Sequence, residues 1–318
     1  MKNILYIVVP CYNEQEVLSE TAKRLKMKIE DLVSAEKISP KSRILFVNDG
    51  SKDKTWDMIV ALHEENPVFI GLDLSKNRGH QNALLAGLMV AKERADITIS
   101  MDADLQDDIN AVDGMIDKYY EGCDIVYGVR SSRKKDSPFK RITAECFYRL
   151  IKFFGSDAVY NHADYRLMSK RALEGLAQFK EVNLFLRGIV PMIGFKSDIV
   201  YYERHERFAG ESKYPLKKML SLAWEGITSL SAKPMRVIAI IGFLIFIISM
   251  GMIVYSFTRV AAGATVEGWA SVICSVWASG GLIMISLGVI GEYIGKIYLE
   301  TKARPNFIIK EILDDEDL

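Results

Sequence analysis

Two carboxylates at the end of a short apolar run are the strongest chemical signal in this 318-residue chain. Asp102 and Asp104 directly follow the run Ile97–Met101, within the sequence DADLQD. Alternate residues at a strand end point the same way, so the two negative charges would repel unless a cation lay between them. Mg²⁺ and Mn²⁺ prefer oxygen ligands and often keep substrate phosphates as their other ligands. The motif therefore predicts a divalent-metal site, with a solvated acidic turn as the alternative.

Polar residues also follow two other apolar runs. Pro10, Tyr12 and Glu14 belong to VPCYNE, and Asp49 belongs to VNDGSKD. Asp49 could accept hydrogen bonds from a base or a ribose, and Tyr12 could stack on a base. Each group alone could be a turn with a helix cap, but on one edge of a sheet they predict a nucleotide pocket. The chain has no GxGxxG or Walker sequence, so dinucleotide or ATP binding by those routes is unsupported.

A mostly parallel α/β sheet is the element that must position these residues. Continuous apolar runs bounded by turn residues predict five buried strands: Ile4–Val9, Arg43–Val47, Val68–Leu72, Ile97–Met101 and Asp124–Tyr127. Three longer amphipathic segments between them predict helices: Glu14–Leu32, Lys54–Glu65 and Gln81–Arg94. Asn13 and Asp53 are candidate caps for the first two helices. This alternation predicts βαβ units with right-handed crossovers.

Two uncharged segments near the C-terminus, Val237–Phe257 and Trp269–Gly291, predict a transmembrane hairpin. Either segment could cross a hydrocarbon core of about 30 Å as a helix, and only the short stretch Thr258–Gly268 joins them. The alternative is a soluble enzyme whose apolar segments form a dimer core. Basic residues flank the hairpin on its outer ends: Lys233, Arg236, Lys296, Lys302 and Arg304. The connecting loop holds only Arg259, so the positive-inside rule predicts that the catalytic domain and tail are cytoplasmic.

The remaining segments predict how the chain is divided. Phe139–Phe154 and Leu216–Leu230 mix basic, aromatic and aliphatic residues, which favours amphipathic helices at a membrane surface over ordinary surface helices. We therefore expect four parts: a catalytic domain over 1–215, an interfacial helix over 216–236, the hairpin over 237–291 and a cytoplasmic tail over 292–318. The acidic end of this tail, Asp314–Asp317, is expected to be solvated.

Composition excludes several classes of function. Lys and Arg number 41, as do Asp and Glu, and this zero net charge argues against a general nucleic-acid binder. The four cysteines form no CxxC pair, so neither a zinc site nor a disulfide framework is predicted and a reducing compartment is expected. The N-terminal apolar run is too short for a secretory signal, which also favours a cytoplasmic catalytic domain.

An ordered set of motifs resembles the family-2 glycosyltransferases of GT-A fold. The motifs are VPCYNE, VNDGSKDKT, NRGHQNALLAGL, DADLQD, DIVYGVR, ADYRLMS and RFAGESKY. Within the family, they are similar to the polyprenyl-phosphate branch, which includes dolichol-phosphate mannose synthase and bacterial bactoprenol glucosyltransferases. The resemblance extends from residue 4 to about residue 300 and includes the two-helix hairpin.

The resemblance implies a role for each matching residue. The residues that would line the donor pocket are Pro10, Tyr12, Glu14, Asp49 and Asp102. The metal ligands would be Asp102, Asp104 and Gln106. The catalytic set would comprise Asp102, Asp104, Arg130 at the donor phosphates or sugar, and Asp164 near the transferred sugar. The acceptor phosphate would be held by Arg207, Ser212 and Lys213, whose polar and cationic groups suit a phosphate ester.

The implied reaction is inverting transfer of a hexose to polyprenyl phosphate, with Mg²⁺ or Mn²⁺ as cofactor and UDP-glucose as the favoured donor. The resemblance also implies a homo-oligomer in the cytoplasmic membrane. A processive polysaccharide synthase would need a QxxRW motif, which is absent. A non-catalytic nucleotide-sugar-binding scaffold is the other alternative.

Two positions depart from the family pattern. Asp108-Ile109 stands where many relatives have Pro-Pro, and His80 stands where several have Lys. The sequence leaves open whether His80 touches the donor or packs.

Overall fold

An eight-stranded mixed sheet forms the centre of the computed structural model, which describes residues 2–131, 162–182, 184–203, 228, 233–262 and 268–314. The strands are β1 Leu5–Cys11, β2 Arg43–Asn48, β3 Phe69–Leu74, β4 Ile97–Ser100, β5 Ile125–Arg130, β6 His162–Ser169, β7 Ser197–Tyr202 and β8 Ile309–Leu313. Their order across the sheet is β7-β5-β6-β4-β1-β2-β3-β8.

The helices that we number in the described residues follow the same alternation. They are α1 Leu18–Ser34, α2 Thr55–Glu65, α3 His80–Arg94, α4 Ala111–Tyr120, α5 Lys170–Leu176, α6 Leu186–Met192, α7 Lys233–Ala261 and α8 Trp269–Lys302. All five predicted strands and all three predicted helices are present, with ends that differ by a few residues. The α/β class and the mostly parallel GT-A arrangement are therefore confirmed.

The central strands are parallel and covered on both faces. β1 pairs in parallel with β2 and with β4, and β2 pairs in parallel with β3. Apolar side chains from successive strand residues enter two separate core clusters, one on each face of the sheet. Helix α3 packs very close to one face, since a Cβ at Gly87 would lie 2.4 Å from Val8 Cγ1. This burial on both sides explains the continuous apolar runs in the sequence.

β6 reverses direction within the sheet. It lies antiparallel to both β4 and β5, whereas β5 and β7 are parallel to each other. The beginning of β6 therefore lies at the same edge as the ends of β4 and β5. The apolar runs in the sequence did not predict β6 or β7.

The first helix begins later than predicted, at Leu18 rather than Glu14, and Asn13 does not cap it. Asn13 adopts a left-handed φ of 54°, and its side-chain oxygen accepts a hydrogen bond from Lys52 N at 2.9 Å. Asp53 is not the cap of α2 either, because the cap position is Lys54, but Asp53 Oδ1 accepts a hydrogen bond from Thr55 N at 3.0 Å. The chain between β1 and α1 is thus fixed by the neighbouring loop.

The C-terminal segment is not the free tail expected over 292–318. Helix α8 continues to Lys302, and β8 joins the catalytic sheet antiparallel to β3. Lys310 Nζ lies 2.7 Å from Asp73 Oδ2, and Asp314 pairs with Arg94. Apolar residues of β8 pack on the core, and the strand covers an edge that would otherwise expose unpaired backbone groups. The acidic residue at position 314 is therefore anchored rather than solvated.

Two long apolar helices, α7 and α8, contact each other and match the predicted hairpin. Candidate membrane spans within them are Pro234–Met252 and Ala278–Lys302, and none of either span is buried. Both helices extend beyond the predicted spans 237–257 and 269–291. The predicted interfacial stretch Phe139–Phe154, and all of Leu216–Leu230 except Thr228, lie outside the described residues.

Candidate active site

Most of the predicted site residues lie at the edge of the sheet that is formed by the ends of its parallel strands. Parallel strands β1, β2, β4, β5 and β7 end there, and the reversed β6 begins there. The residues brought to this edge are Tyr12, Asp49, Asp102, Arg130 and Asp164. The acceptor residues Arg207, Ser212 and Lys213 lie outside the described residues.

The DADLQD segment alternates between buried and partly exposed side chains. The partly exposed residues are Asp102, Asp104 and Gln106, and the buried residues are Ala103, Leu105 and Asp107. Leu105 adopts a left-handed φ of 56°, and Asp104 Oδ1 accepts a hydrogen bond from Gln106 N at 3.1 Å. The three predicted metal ligands are thus all partly exposed, whereas the residues between them are buried.

Asp107 is a buried carboxylate that sequence reasoning quoted but did not assign to the site. Its Oδ1 accepts a hydrogen bond from the Tyr202 hydroxyl at 2.5 Å and lies 3.6 Å from Arg130 Nη2. Its buried Oδ2 has no hydrogen-bond partner among the described residues. Burial and the nearby Asp102 charge raise the pKa of Asp107 to about 6, against the opposing effects of Tyr202 and Arg130. In the sequence, Asp107 occupies the same alternate positions as Ala103 and Leu105 rather than those of Asp102 and Asp104, and this spacing was the available signal for its burial.

The acidic segment fits a divalent cation that completes its coordination with ligand oxygens. Asp102, Asp104 and Gln106 supply two carboxylates and an amide oxygen, the donor set that Mg²⁺ and Mn²⁺ accept. Within the described part of the chain, no group of three His, Cys, Asp or Glu residues is placed to hold a metal ion. Asp107 adds a further carboxylate near Asp102 and Asp104, and its Oδ2 has no hydrogen-bond partner among the described residues. An open site of this kind suits a metal that also binds a diphosphate.

Asp164 is held by two arginines at the beginning of β6. Its Oδ1 accepts from Arg166 Nη2 at 2.6 Å, and its Oδ2 accepts from Arg187 Nη2 at 2.9 Å. Burial would raise the pKa of Asp164, but Arg187, Arg166 and His80 outweigh it and hold that pKa far below its ordinary value. Asp164 is therefore an ionised, positioned carboxylate and a weak proton acceptor.

The two arginines reach Asp164 from different elements. Arg166 shares β6 with it and is 1% exposed, whereas Arg187 comes from α6 and is 42% exposed. Sequence reasoning missed both. Two residues on one strand at this spacing share a face, but the strand that holds Asp164 and Arg166 was itself not predicted.

His80 lies between the two acidic groups of the site. Its Nε2 is 3.5 Å from Asp102 Oδ1 and 3.7 Å from Asp164 Oδ2. The side chain is 41% exposed, so His80 is not a core residue. The structure places His80 beside the predicted catalytic residues, at the first position of α3.

The predicted donor residues occupy different environments. Asp49 is 2% exposed, and its two oxygens accept from Arg78 N at 2.6 Å and Gly79 N at 2.9 Å. Its carboxylate therefore holds the loop before α3, and burial outweighs these hydrogen bonds to raise its pKa. The loops also touch at Gly50, where φ is +62° and a Cβ would lie 2.5 Å from Asn77 N.

The remaining donor residues follow β1. Tyr12 is 43% exposed, Pro10 is buried within the strand, and Glu14 N donates to Thr55 Oγ1 at 2.9 Å. Only the Tyr12 ring of these three presents a large open surface to the edge of the sheet.

Two family models match this chain. Residues 6–176 match the model described as Glycosyl transferase family 2, and residues 233–297 match that described as GtrB C-terminal hairpin. The first match spans the described sheet as far as α5, and the second spans most of α7 and α8.

Curated relatives match almost the entire chain. The "Uncharacterized glycosyltransferase YkoT" of Bacillus subtilis (strain 168) is 54% identical over 99% of this chain and 94% of its own. The "Prophage bactoprenol glucosyl transferase homolog" of Escherichia coli (strain K12) is 40% identical over 96% of this chain and 98% of its own. The "Bactoprenol glucosyl transferase" of Shigella phage SfX is 40% identical over the same shares of the two chains.

Proposed function

This chain belongs to glycosyltransferase family 2, and from that premise we propose that it transfers glucose from UDP-glucose to a polyprenyl phosphate. The observation that carries the proposal is the 40% identity with proteins named bactoprenol glucosyl transferases over 96% of the chain. That match includes the sheet edge with Asp102, Asp104 and Asp164 as well as the membrane hairpin. The product would be a lipid-linked sugar for modification of cell-envelope glycans.

We propose Asp102, Asp104 and Gln106 as ligands of Mg²⁺ or Mn²⁺, because the three side chains share the open side of one segment. When bound, the ion would supply positive charge to the donor diphosphate. Arg130, at the end of β5, would add a second positive group at the same phosphates. Tyr12 would stack on the base, while Asp49 would act through the Arg78–Gly79 loop that its carboxylate holds.

The acceptor phosphate can act as the nucleophile with little help from a base. A phosphate monoester is largely ionised near pH 7, so one of its oxygens can attack the anomeric carbon in line. The new carbon–oxygen bond would form as the bond to the donor diphosphate breaks, so that UDP leaves and the configuration inverts. Asp164 is correspondingly a poor base, because Arg187 and Arg166 keep its pKa low. We propose that its fixed negative charge stabilises the positive charge that develops on the sugar ring. His80 would help to position this carboxylate relative to Asp102.

We propose that the acceptor arrives from the membrane. Two long apolar helices with exposed side chains support membrane association of the chain. Arg207, Ser212 and Lys213 precede the basic stretch Leu216–Leu230, where a phosphate headgroup could meet cationic side chains. The outer ends of the hairpin carry its basic residues, which supports a cytoplasmic catalytic domain.

The deciding experiment is a donor panel with the full-length protein, undecaprenyl phosphate and Mg²⁺, followed by mass analysis of the lipid. UDP-glucose, other UDP-sugars and GDP-mannose would be compared at equal concentration. The proposal predicts a lipid heavier by one hexose with UDP-glucose, and roughly 10²–10³-fold less of it with the Asp102→Asn variant in the same time. Transfer from another donor alone would reject the sugar assignment. Successive addition of sugars would instead support a processive synthase, and donor binding without turnover would support a scaffold.

A further inference from the structure

Arg130 is connected to two buried side chains at the edge of the sheet. It is the last residue of β5, and its neighbour across the parallel pairing is Tyr202, the last residue of β7. The Arg130 Nε donates to the Tyr202 hydroxyl at 3.3 Å, and that hydroxyl donates to Asp107 Oδ1 at 2.5 Å. Arg130 Nη2 lies 3.6 Å from the same Asp107 oxygen. The three groups form a closed triangle, which we call the Arg130 bracket.

Aromatic packing restrains the Tyr202 side chain of the Arg130 bracket. Tyr202 is 3% exposed, and its ring meets the edge of Tyr165 with centroids 5.3 Å apart. The Tyr165 hydroxyl in turn donates to Asp108 O at 3.0 Å. The Tyr165 ring is itself tightly packed, because a Cβ at Gly128 would lie 2.9 Å from it. Burial and this ring contact restrict the Tyr202 side chain and hence the place where its hydroxyl meets Arg130.

The rest of the Arg130 side chain is partly open, with 25% of it exposed. Burial lowers the pKa of Arg130, but Tyr202, Asp107 and the nearby Asp102 outweigh it, so the guanidinium stays protonated. An arginine on an open strand end would otherwise sample many rotamers and lose that freedom when a ligand binds. A guanidinium that is already oriented loses less, and it is more effective toward charge that develops during the reaction.

We propose that Tyr202 is a positioning residue, which with Asp107 orients the Arg130 guanidinium toward the terminal phosphate of the nucleoside diphosphate. This inference rests on the proposed function, because it takes a nucleotide sugar as donor. Tyr202 acts through Arg130 and does not touch the donor itself. The effect of Tyr202 is therefore confined to ligands that carry the terminal phosphate.

Removing one oxygen atom tests this assignment. In Tyr202→Phe the ring can keep its contact with Tyr165, while the hydroxyl that joins Arg130 Nε to Asp107 Oδ1 is lost and only the direct 3.6 Å ion pair remains. Calorimetry with the full-length protein, Mg²⁺ and either UDP or UMP would measure binding. UDP binding should weaken about tenfold, as for the loss of a hydrogen bond to a charged group, and UMP binding less than about twofold. The control is Tyr201→Phe on the same strand, where the side chain is 64% exposed and both affinities should be unchanged.

A double-mutant cycle separates positioning from general support of the fold. In an Arg130→Ala background, Tyr202→Phe should change UDP binding by less than about twofold, because the group through which it acts is gone. Equal weakening of UDP and UMP would overturn the proposal, as would a tenfold effect that persists without Arg130. Unchanged UDP binding by Tyr202→Phe would also overturn it. If the wild-type protein bound neither nucleotide and made no glucosyl lipid, the proposed function itself would fail.

Discussion

Asp164 and Arg166 lie two residues apart on the same strand, and their side chains form a buried ion pair of 2.6 Å. Arg187, on helix α6, contacts the other carboxylate oxygen of Asp164. Asp164 thus has two separate roles, and a sequence comparison alone would not distinguish them. It balances a buried guanidinium, and we propose that it also acts on the sugar.

Asp164→Asn should lower stability as well as activity, because it leaves the Arg166 charge in the interior without its partner. Breaking a buried pair in this way costs roughly 3–5 kcal/mol, whereas replacing both charges by neutral groups is often tolerated. The double variant Asp164→Asn/Arg166→Met should therefore recover most of the melting temperature. It should remain inactive, since the carboxylate is still missing. Recovery of activity together with stability would show that Asp164 is only structural.

Acid should weaken this ion pair only at low pH. Arg187, Arg166 and His80 keep the pKa of Asp164 well below that of an unfolded aspartate. The stability that it contributes is therefore complete above about pH 4 and is lost as pH falls toward the folded-state pKa. In a His80→Gln background, where no neighbouring imidazole changes its charge, the difference in melting temperature between Asp164/Arg166 and Asp164→Asn/Arg166→Met should be constant from pH 8 to pH 5 and decrease below about pH 4. A difference that already changed between pH 7 and pH 5 would contradict this assignment.

Asp102→Asn and Asp104→Asn should each reduce transfer by roughly 10²–10³, the usual effect of removing one electrostatic element of an active site. Both side chains are partly exposed, so neither substitution should lower the melting temperature. EDTA should inactivate the wild type, and Mg²⁺ or Mn²⁺ should restore it. Asp57→Asn, at an exposed position on α2, is the matched control and should remain active. Full activity in excess chelator would exclude the metal.

Lys213→Ala and Arg207→Ala should impair use of the lipid more than use of the donor. Loss of one charge-assisted phosphate contact costs on the order of 1.5–3 kcal/mol, or about ten- to more than a hundredfold. The KM for polyprenyl phosphate should rise, while calorimetric binding of the nucleotide sugar without lipid should change little. Asp49→Ala should show the reverse, because the Arg78–Gly79 loop would lose both of its anchors. Loss of donor binding in Lys213→Ala would assign that residue to the donor site.

Thiol labelling of intact cells should show how the hairpin is oriented. Ala262→Cys, just after α7, should react with an impermeant reagent from outside. Arg304→Cys, just after α8, should react only after lysis. Cys11 and Cys123 are buried, so a background with Cys146→Ser and Cys274→Ser should be silent. The opposite labelling pattern would place the catalytic domain away from cytoplasmic nucleotide sugars.

The sequence by itself determined those features of the protein that depend only on residues close together in the chain. Apolar runs located the first five strands, because central strands of a covered sheet are buried on both faces. Spacing at a strand end predicted that Asp102 and Asp104 point the same way, and the family resemblance added Gln106 to them. Hydrophobic length identified the hairpin, since an apolar helix long enough to cross a bilayer is visible in one uninterrupted stretch.

Only the tertiary structure decided which distant segments meet. The reversal of β6 brings Asp164 to the edge where β4 and β5 end. The pairing of β8 with β3 joins residues more than two hundred positions apart, so the C-terminal segment becomes part of the sheet. Tyr202 meets Asp107 in the same way. Strand neighbours and buried ion pairs depend on how the whole core closes, and no local pattern of polarity records that choice.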